Sequence, residues 1–205
     1  MTLRLHDYLP SGNGYKVRLL LTQLGIPFER IEYDVAAGET RTTPFIDNVN
    51  ANGRVPVLEI NGGAFLPESN AILVYLAEGT PFFPEGRLDR ARTLQWMFFE
   101  QYSHEPNLAV ARAWLHVFDT EMTEERRTAL AGKQRLGYDA LGVMEKHLEA
   151  NDFFVADRYS VADIALYAYT HVAGEGGFDL DAFSAVRAWL ERVSSQPGYI
   201  PITRG

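Results

Sequence analysis

The chain has no cysteine among its 205 residues. That excludes disulfide staples, thiolate metal sites and catalysis by a thiol of its own. It suits a reducing compartment, so a cytoplasmic location is expected. Basic charge is also scarce: 19 lysines and arginines stand against 27 aspartates and glutamates, a net charge of -8. With no basic run to offset that balance, binding to nucleic acid is disfavoured. No apolar run approaches the roughly 18 residues that a membrane-spanning helix needs, so no membrane partner is expected. The stretch from Met1 to Tyr8 does not read as a signal peptide. The five histidines are scattered, and no metal site is expected. Three chemical motifs begin and fail. Gly12-Asn13-Gly14 starts like a dinucleotide fingerprint, but Val17 stands where the third glycine belongs. His104-Glu105 starts like a zinc-binding helix, but Leu108 replaces the second histidine. There is no Gly-x-Ser-x-Gly elbow.

What the chain does contain is ordinary globular composition, 46% hydrophobic and 22% charged, enough for one large domain or two small ones. Leu3 to Tyr8 reads as a strand, and Pro10 to Gly14 is a turn cluster. Val17, Leu20, Leu21 and Leu24 recur at helical spacing until Gly25 and Pro27 stop them. Phe28 to Val35 alternates as a second strand, and Thr42-Thr43-Pro44 opens a short helix through Val49. Val55 to Ile60 and Ala64 to Leu66 flank the hairpin signal Asn61-Gly62-Gly63. Pro67-Glu68-Ser69 opens a helix carrying Ala71, Ile72, Tyr75 and Leu76 on one face. The order is βαβαββα within residues 1–80.

Thr80 to Gly86 carries two prolines and a glycine and reads as a linker. Beyond it strand signals stop, and residues 87–205 form an all-helical domain. Leu88 to Val117 is one long aromatic-rich helical pattern. Thr123 to Leu148 is a second, and Asp181 to Ser194 is a last. Ser160-Val161-Ala162-Asp163 has the form of a capping box, with aspartate in place of the usual glutamate or glutamine.

Three stretches carry a resemblance. Leu9 to Leu21 holds Pro10-Ser11-Gly12-Asn13-Gly14-Tyr15-Lys16. Asn52-Gly53-Arg54-Val55-Pro56-Val57-Leu58 is followed by Pro67-Glu68-Ser69-Asn70-Ala71-Ile72. Ser160-Val161-Ala162-Asp163-Ile164 comes later, and Phe99 to Pro106 looks like bacterial members. Together, in this order, they resemble the glutathione S-transferase family, of bacterial serine- or asparagine-type (theta- or nu-like). The resemblance implies an α/β plus all-α architecture: a thioredoxin-like N-terminal domain that holds glutathione and a C-terminal helical bundle that shapes a co-substrate pocket.

It also implies roles. The bond before Pro56 is cis in the family, so the backbone of Val55 pairs with the cysteinyl backbone of glutathione as an added strand. Glu68 and Ser69, at a helix start, suit the charged γ-glutamyl head. Arg41 and Arg54 suit the glycine carboxylate, by type more than by identity. Ser11 falls where serine-type members donate to the sulfur, Asn13 where other bacterial members place an asparagine, and Tyr8 near the tyrosine of a third type. Ser11 and Asn13 also suit a plain helix cap. Tyr102, His104, Arg112 and Trp114 are candidates for the co-substrate pocket, against core packing and surface ion pairs. The implied chemistry is attack by glutathione, the co-substrate, on a small apolar electrophile, a peroxide or a disulfide. A disulfide reductase or peroxidase is one alternative, a non-enzymatic binding or regulatory protein on the same fold another. An isomerase of the maleylacetoacetate type is more distant, because its Ser-Ser-Cys turn is Ser11-Gly12-Asn13 here. A homodimer is a family expectation.

Overall fold

The computed structural model describes residues 2–118 and 120–205; Met1 and Asp119 lie outside the described residues. The chain divides into two compact units, Met1–Glu78 with Pro197–Gly205, and Gly79–Gln196.

The first unit is built on a four-stranded sheet in the order β2-β1-β3-β4, with β1 Leu3–Asp7, β2 Glu29–Glu32, β3 Val57–Ile60 and β4 Ala64–Pro67. β1 runs parallel to β2 and antiparallel to β3, and β3 is antiparallel to β4. Side chains alternate across a sheet, so Leu3 and Leu5 share a face with Leu58, while Arg4 and His6 meet Glu59 on the other. There Arg4 pairs with the Glu59 carboxylate, and His6 Nε2 lies 3.1 Å from it. Helices α1 (Gly12–Gln23), α2 (Thr43–Asn48) and α3 (Ser69–Ala77) complete the βαβαββα thioredoxin-like unit.

Strand ends differ from the sequence reading. β3 starts at Val57 because Pro56 has no N–H to give a ladder. Pro67, read as a helix opener, is the last residue of β4, and α3 begins only at Ser69. The tail also differs from its expected place with the helical domain. Pro197–Gly205 belongs to the first unit, tied to α1 by Tyr15 OH donating to Ile200 O at 2.7 Å and by Arg18 Nη2 donating to Ile202 O at 2.9 Å.

The second unit is helical: α4 Arg87–Phe99, α5 Glu105–Arg112, α6 Glu124–Leu148, α7 Val161–Thr170 and α8 Ser184–Ser194. The long pattern expected over Leu88 to Val117 is broken by π-helical turns at Glu100–His104 and Ala113–Val117. Pro106 explains the first: it lacks an N–H and its ring displaces the carbonyl four residues back, so the ladder widens locally. α7 is buried along its whole length. Its N-terminus is closed by the capping box between Ser160 and Asp163. Trp189 of α8, fully buried, packs edge-on against Phe154 and donates Nε1–H to Asp163 Oδ1 at 3.0 Å. α8 starts at Ser184, three residues later than its apolar pattern suggests.

Candidate functional site

The sheet register gathers the candidate residues of the first unit at one end. His6 pairs with Val57, and Val57 with Pro67. The end of β1, the start of β3 and the end of β4 are therefore neighbours, and the segments that leave them carry Ser11, Val55 and Glu68-Ser69.

Ser11 is the N-cap of α1. Its backbone is extended, and its Oγ accepts from Gly14 N–H at 3.2 Å. The turn below it is closed by Ser11 N–H donating to Tyr8 O at 2.8 Å. Asn13, in the first turn of α1, is half-buried, and its Oδ1 accepts from the Ser69 hydroxyl at 3.2 Å. That bond joins the first turn of α1 to the first residue of α3. Glu68 precedes α3 with φ 73 and ψ 109, and its carboxylate is exposed and makes no capping bond. A non-glycine residue held at such an angle costs of order 1–3 kcal/mol, so the surrounding fold holds Glu68 there against its preference.

The Val55–Pro56 bond is cis. Among the described residues, no group of the chain bonds to the Val55 amide or carbonyl. Arg41 and Arg54 are both exposed. Arg41 Nη1 donates to Asn52 O at 3.1 Å. Its side chain crosses Gly53 so closely that a Cβ there would sit 2.8 Å from Nη1. Gly53, at φ 62, is thus where glycine is required. Arg41 is thereby brought to the turn that carries Arg54.

The helical-unit candidates are not brought together in this way. Tyr102 is 88% exposed, and Trp114 is half-buried. His104 and Arg112 are both buried. His104 is fully buried with Nε2 2.9 Å from the Thr170 hydroxyl, and Arg112 is buried with Nε donating to Glu175 at 2.5 Å. Both make polar contacts inside the second unit.

Sequence reasoning missed three charged groups under the site. Asp7 and Arg18 form a wholly buried ion pair, and Arg18 Nη2 also donates to Leu9 O at 2.9 Å, holding the turn that leads to Ser11. Burial pushes the Asp7 carboxyl up, against the pull of Arg18 beside it. Lys16 is fully buried, its Nζ 3.3 Å from Ser69 Oγ and 3.5 Å from Asn70 Oδ1. The available signal was Lys16-Val17-Arg18 inside an otherwise apolar helix. Neighbours two apart lie on opposite sides of a helix, so a helix buried all round must take both cations inward. Among the described residues, no group of three histidines, cysteines or carboxylates is arranged to hold a metal ion, and no helix is long and apolar enough to cross a membrane.

A thioredoxin-like unit with this cluster at one end, followed by a helical unit, defines a glutathione-transferase fold. Two family models match: glutathione S-transferase, N-terminal domain over residues 1–78, and glutathione S-transferase, C-terminal domain over residues 101–197. The chain belongs to the glutathione S-transferase family. A crystal structure of glutathione S-transferase from Pseudomonas fluorescens is 46% identical, with a TM-score of 0.95 over 100% of both chains. The disulfide-bond oxidoreductase YfcG of Escherichia coli is 29% identical over 93% of this chain and 89% of its own length. A glutathione transferase homologue from Lodderomyces elongisporus, solved with two GSH per subunit, is 25% identical with a TM-score of 0.84, over 97% of this chain and 95% of its own.

Proposed function

We propose that the protein is a cytoplasmic glutathione transferase that binds glutathione at the Ser11, Asn13, Val55 and Glu68-Ser69 end of its first unit. The observation that carries the reading is the Ser69–Asn13 hydrogen bond. It sets a residue suited to the γ-glutamyl carboxylate directly beside one suited to the sulfur. The exposed Glu68 carboxylate is suited to the ligand's ammonium, the Val55 amide and carbonyl to its peptide, and Arg41 and Arg54 to its glycine end.

The chemistry begins with the thiol. A cysteine thiol has a pKa of about 8.5, so roughly 3% is thiolate at pH 7. Lowering it by about two units takes roughly 2.7 kcal/mol. A hydrogen bond to a charged group supplies about 1.5–3 kcal/mol and a helix N-terminus about 0.3–2. One donor from Ser11 or Asn13 at the start of α1 is therefore sufficient. Because basicity and nucleophilicity fall together, the net gain is only a few-fold, and the remaining acceleration comes from positioning the electrophile. In conjugation the sulfur bonds to the electrophilic carbon and a leaving group departs with the electron pair.

A second reading is a glutathione-dependent reductase. It is favoured by Asn13 and by similarity to a disulfide-bond oxidoreductase. The thiolate attacks one sulfur of a disulfide and the other leaves as a thiolate. The chain has no cysteine, so a second glutathione must resolve the mixed disulfide, giving oxidised glutathione. The relative solved with two GSH per subunit supports room for such a step.

Calorimetric titration of glutathione into wild type, Glu68→Ala and Ser69→Ala tests the site. Saturable binding weakened by both substitutions is expected. No binding up to roughly 10 mM, weaker than about -3 kcal/mol, refutes it and leaves a protein that kept the fold without the ligand.

A further inference from the structure

The linker, the start of α4 and the loop before α7 line a cavity of about 730 Å3, within the range of roughly 300–1,000 Å3 that small-molecule sites occupy. Its whole lining belongs to the second unit. Phe83 and Tyr159 contribute rings, and Glu85 and Arg158 contribute opposite charges. Among the described residues, no group of the chain pairs with the Glu85 carboxylate or the Arg158 guanidinium. Asp89, the other acid in the lining, is already paired with Arg92 at 3.1 Å. Opposite charges that share a cavity without meeting each other leave both open to a ligand that carries both.

The turn that bears Arg158 is held against local preference. Arg158 N–H donates to Val155 O at 3.1 Å, closing a two-residue turn with Ala156 at φ 52 and Asp157 at φ 48. Such a turn favours asparagine and glycine. Asp157 gains an offset, because its Oδ1 accepts from Asp152 N–H at 3.2 Å. Ala156 has no polar side chain with which to gain one. Strained residues of this kind gather at ligand clamps, and here the strain sits beside the guanidinium.

We propose that this cavity binds a short apolar peptide with both termini unblocked. Arg158 takes the C-terminal carboxylate in its planar fork, and Glu85 takes the N-terminal ammonium. Phe83 and Tyr159, with Pro81 and Pro84 of the linker, cover the apolar side chains. A dipeptide separates its two charges by a peptide unit, which suits two wall groups that do not form an ion pair. A single amino acid carries both charges on one carbon. The site uses no residue of the glutathione reading, and neither depends on the other.

Calorimetric titration of leucyl-phenylalanine, its N-acetyl form and its C-terminal amide into wild type, Arg158→Gln and Glu85→Gln tests this. Both substituted residues are exposed, so the fold is retained. Wild type should bind the unblocked dipeptide saturably, and each blocked form about 10-fold more weakly, as the loss of one charged hydrogen bond requires. Arg158→Gln should lose about 10-fold for the unblocked and acetylated peptides, and less than about 2-fold for the amide, which has no carboxylate to hold. Glu85→Gln should lose about 10-fold for the unblocked peptide and the amide, and less than about 2-fold for the acetylated one. No saturable binding of the unblocked dipeptide by wild type up to roughly 10 mM overturns the proposal. Losses that ignore which end is blocked overturn it as well. An affinity for the dipeptide that falls in Glu68→Ala and not in Arg158→Gln puts the peptide at the glutathione site and refutes the cavity.

Discussion

Two buried groups on and beside α7 should oppose each other in their pH dependence, and removing one should expose the other. Asp163 is pushed up from 3.8 to about 6 by burial, even though Trp189, Phe154 N–H and Ser160 pull it down. His171, directly after α7, is pushed down from 6.5 to about 4, also by burial, against the hydrogen bond of its ring to Tyr167 O at 2.8 Å. The folded state binds the Asp163 proton more tightly than the unfolded chain. Its contribution is therefore present near pH 4 and lost as pH rises through 6. His171 is the reverse: the unfolded chain binds its proton more tightly, so stability is lost as pH falls from 6.5 toward 4. Each pH unit inside those windows is worth about 1.4 kcal/mol. In wild type the two slopes nearly cancel between pH 4 and 6. His171→Asn keeps a donor for Tyr167 O and removes the titration. Urea unfolding of variant and wild type at pH 4, 5, 6 and 7 gives the difference between them, in which all other titrations drop out. The variant should gain on wild type by about 1.4 kcal/mol per unit as pH falls from 6.5 to 4, roughly 3 kcal/mol in all. Asp163→Asn should show the opposite sign, losing ground by a similar amount between pH 6 and 4. A flat difference for either variant refutes the reasoning. A reversed sign for Asp163→Asn would mean that its four donors outweigh burial.

The other expectations concern packing, association and the sulfur contact. Gly14→Ala places a Cβ 1.7 Å from Asp7 Oδ1, on a fully buried carboxylate whose other oxygen is held by Arg18. It should cost about 2–3 kcal/mol or abolish folding, read as a fall in melting temperature, and an unchanged melt contradicts that clash. Leu94, Phe98 and Tyr102 recur every four residues along α4 and the π turn after it, with Phe98 70% exposed. A homodimer covering this stripe predicts that Phe98→Glu with Tyr102→Glu runs as a monomer in size exclusion, whereas a wild type already monomeric rules the dimer out. Ser11→Ala should lower stability by about 1 kcal/mol through the lost cap, while Asn13→Ala should leave the cap intact. Whichever variant raises the pKa of the bound thiol identifies the sulfur donor, and no change in either removes both.

The order of elements was legible because each rests on a local pattern. Gly25 and Pro27 end α1 after Gln23, Asn61-Gly62-Gly63 makes the hairpin, and Ser160 with Asp163 caps α7. What local pattern misses is what distant residues impose. The π turn at Glu100–His104 is invisible to helical periodicity, which continues through it. The tail Pro197–Gly205 carries no marker for the first unit, because its anchors are the carbonyls of Ile200 and Ile202, which every residue possesses. His104 and Arg112 have the residue types of a polar pocket, and only Thr170 and Glu175, more than 60 residues away, show that they are already engaged.

At the site, the alternatives that the sequence held open turn out to use different atoms. Capping by Ser11 consumes a lone pair on Oγ, through Gly14 N–H, and leaves the hydroxyl proton to be donated elsewhere. A cap and a sulfur donor are therefore compatible in one side chain. The N-cap of α1 is Ser11, and the oxygen of Asn13 accepts from Ser69. The choice between the two residues is thus not between structure and function but between two donors. The sequence cannot decide it, because Asn13 meets Ser69, 56 residues away. Buried charge is what ties these separate motifs together: Arg18 and Asp7 beneath the turn, Lys16 behind Ser69. Arg18 thereby ties the turn before α1 to the C-terminal tail through Leu9 O and Ile202 O.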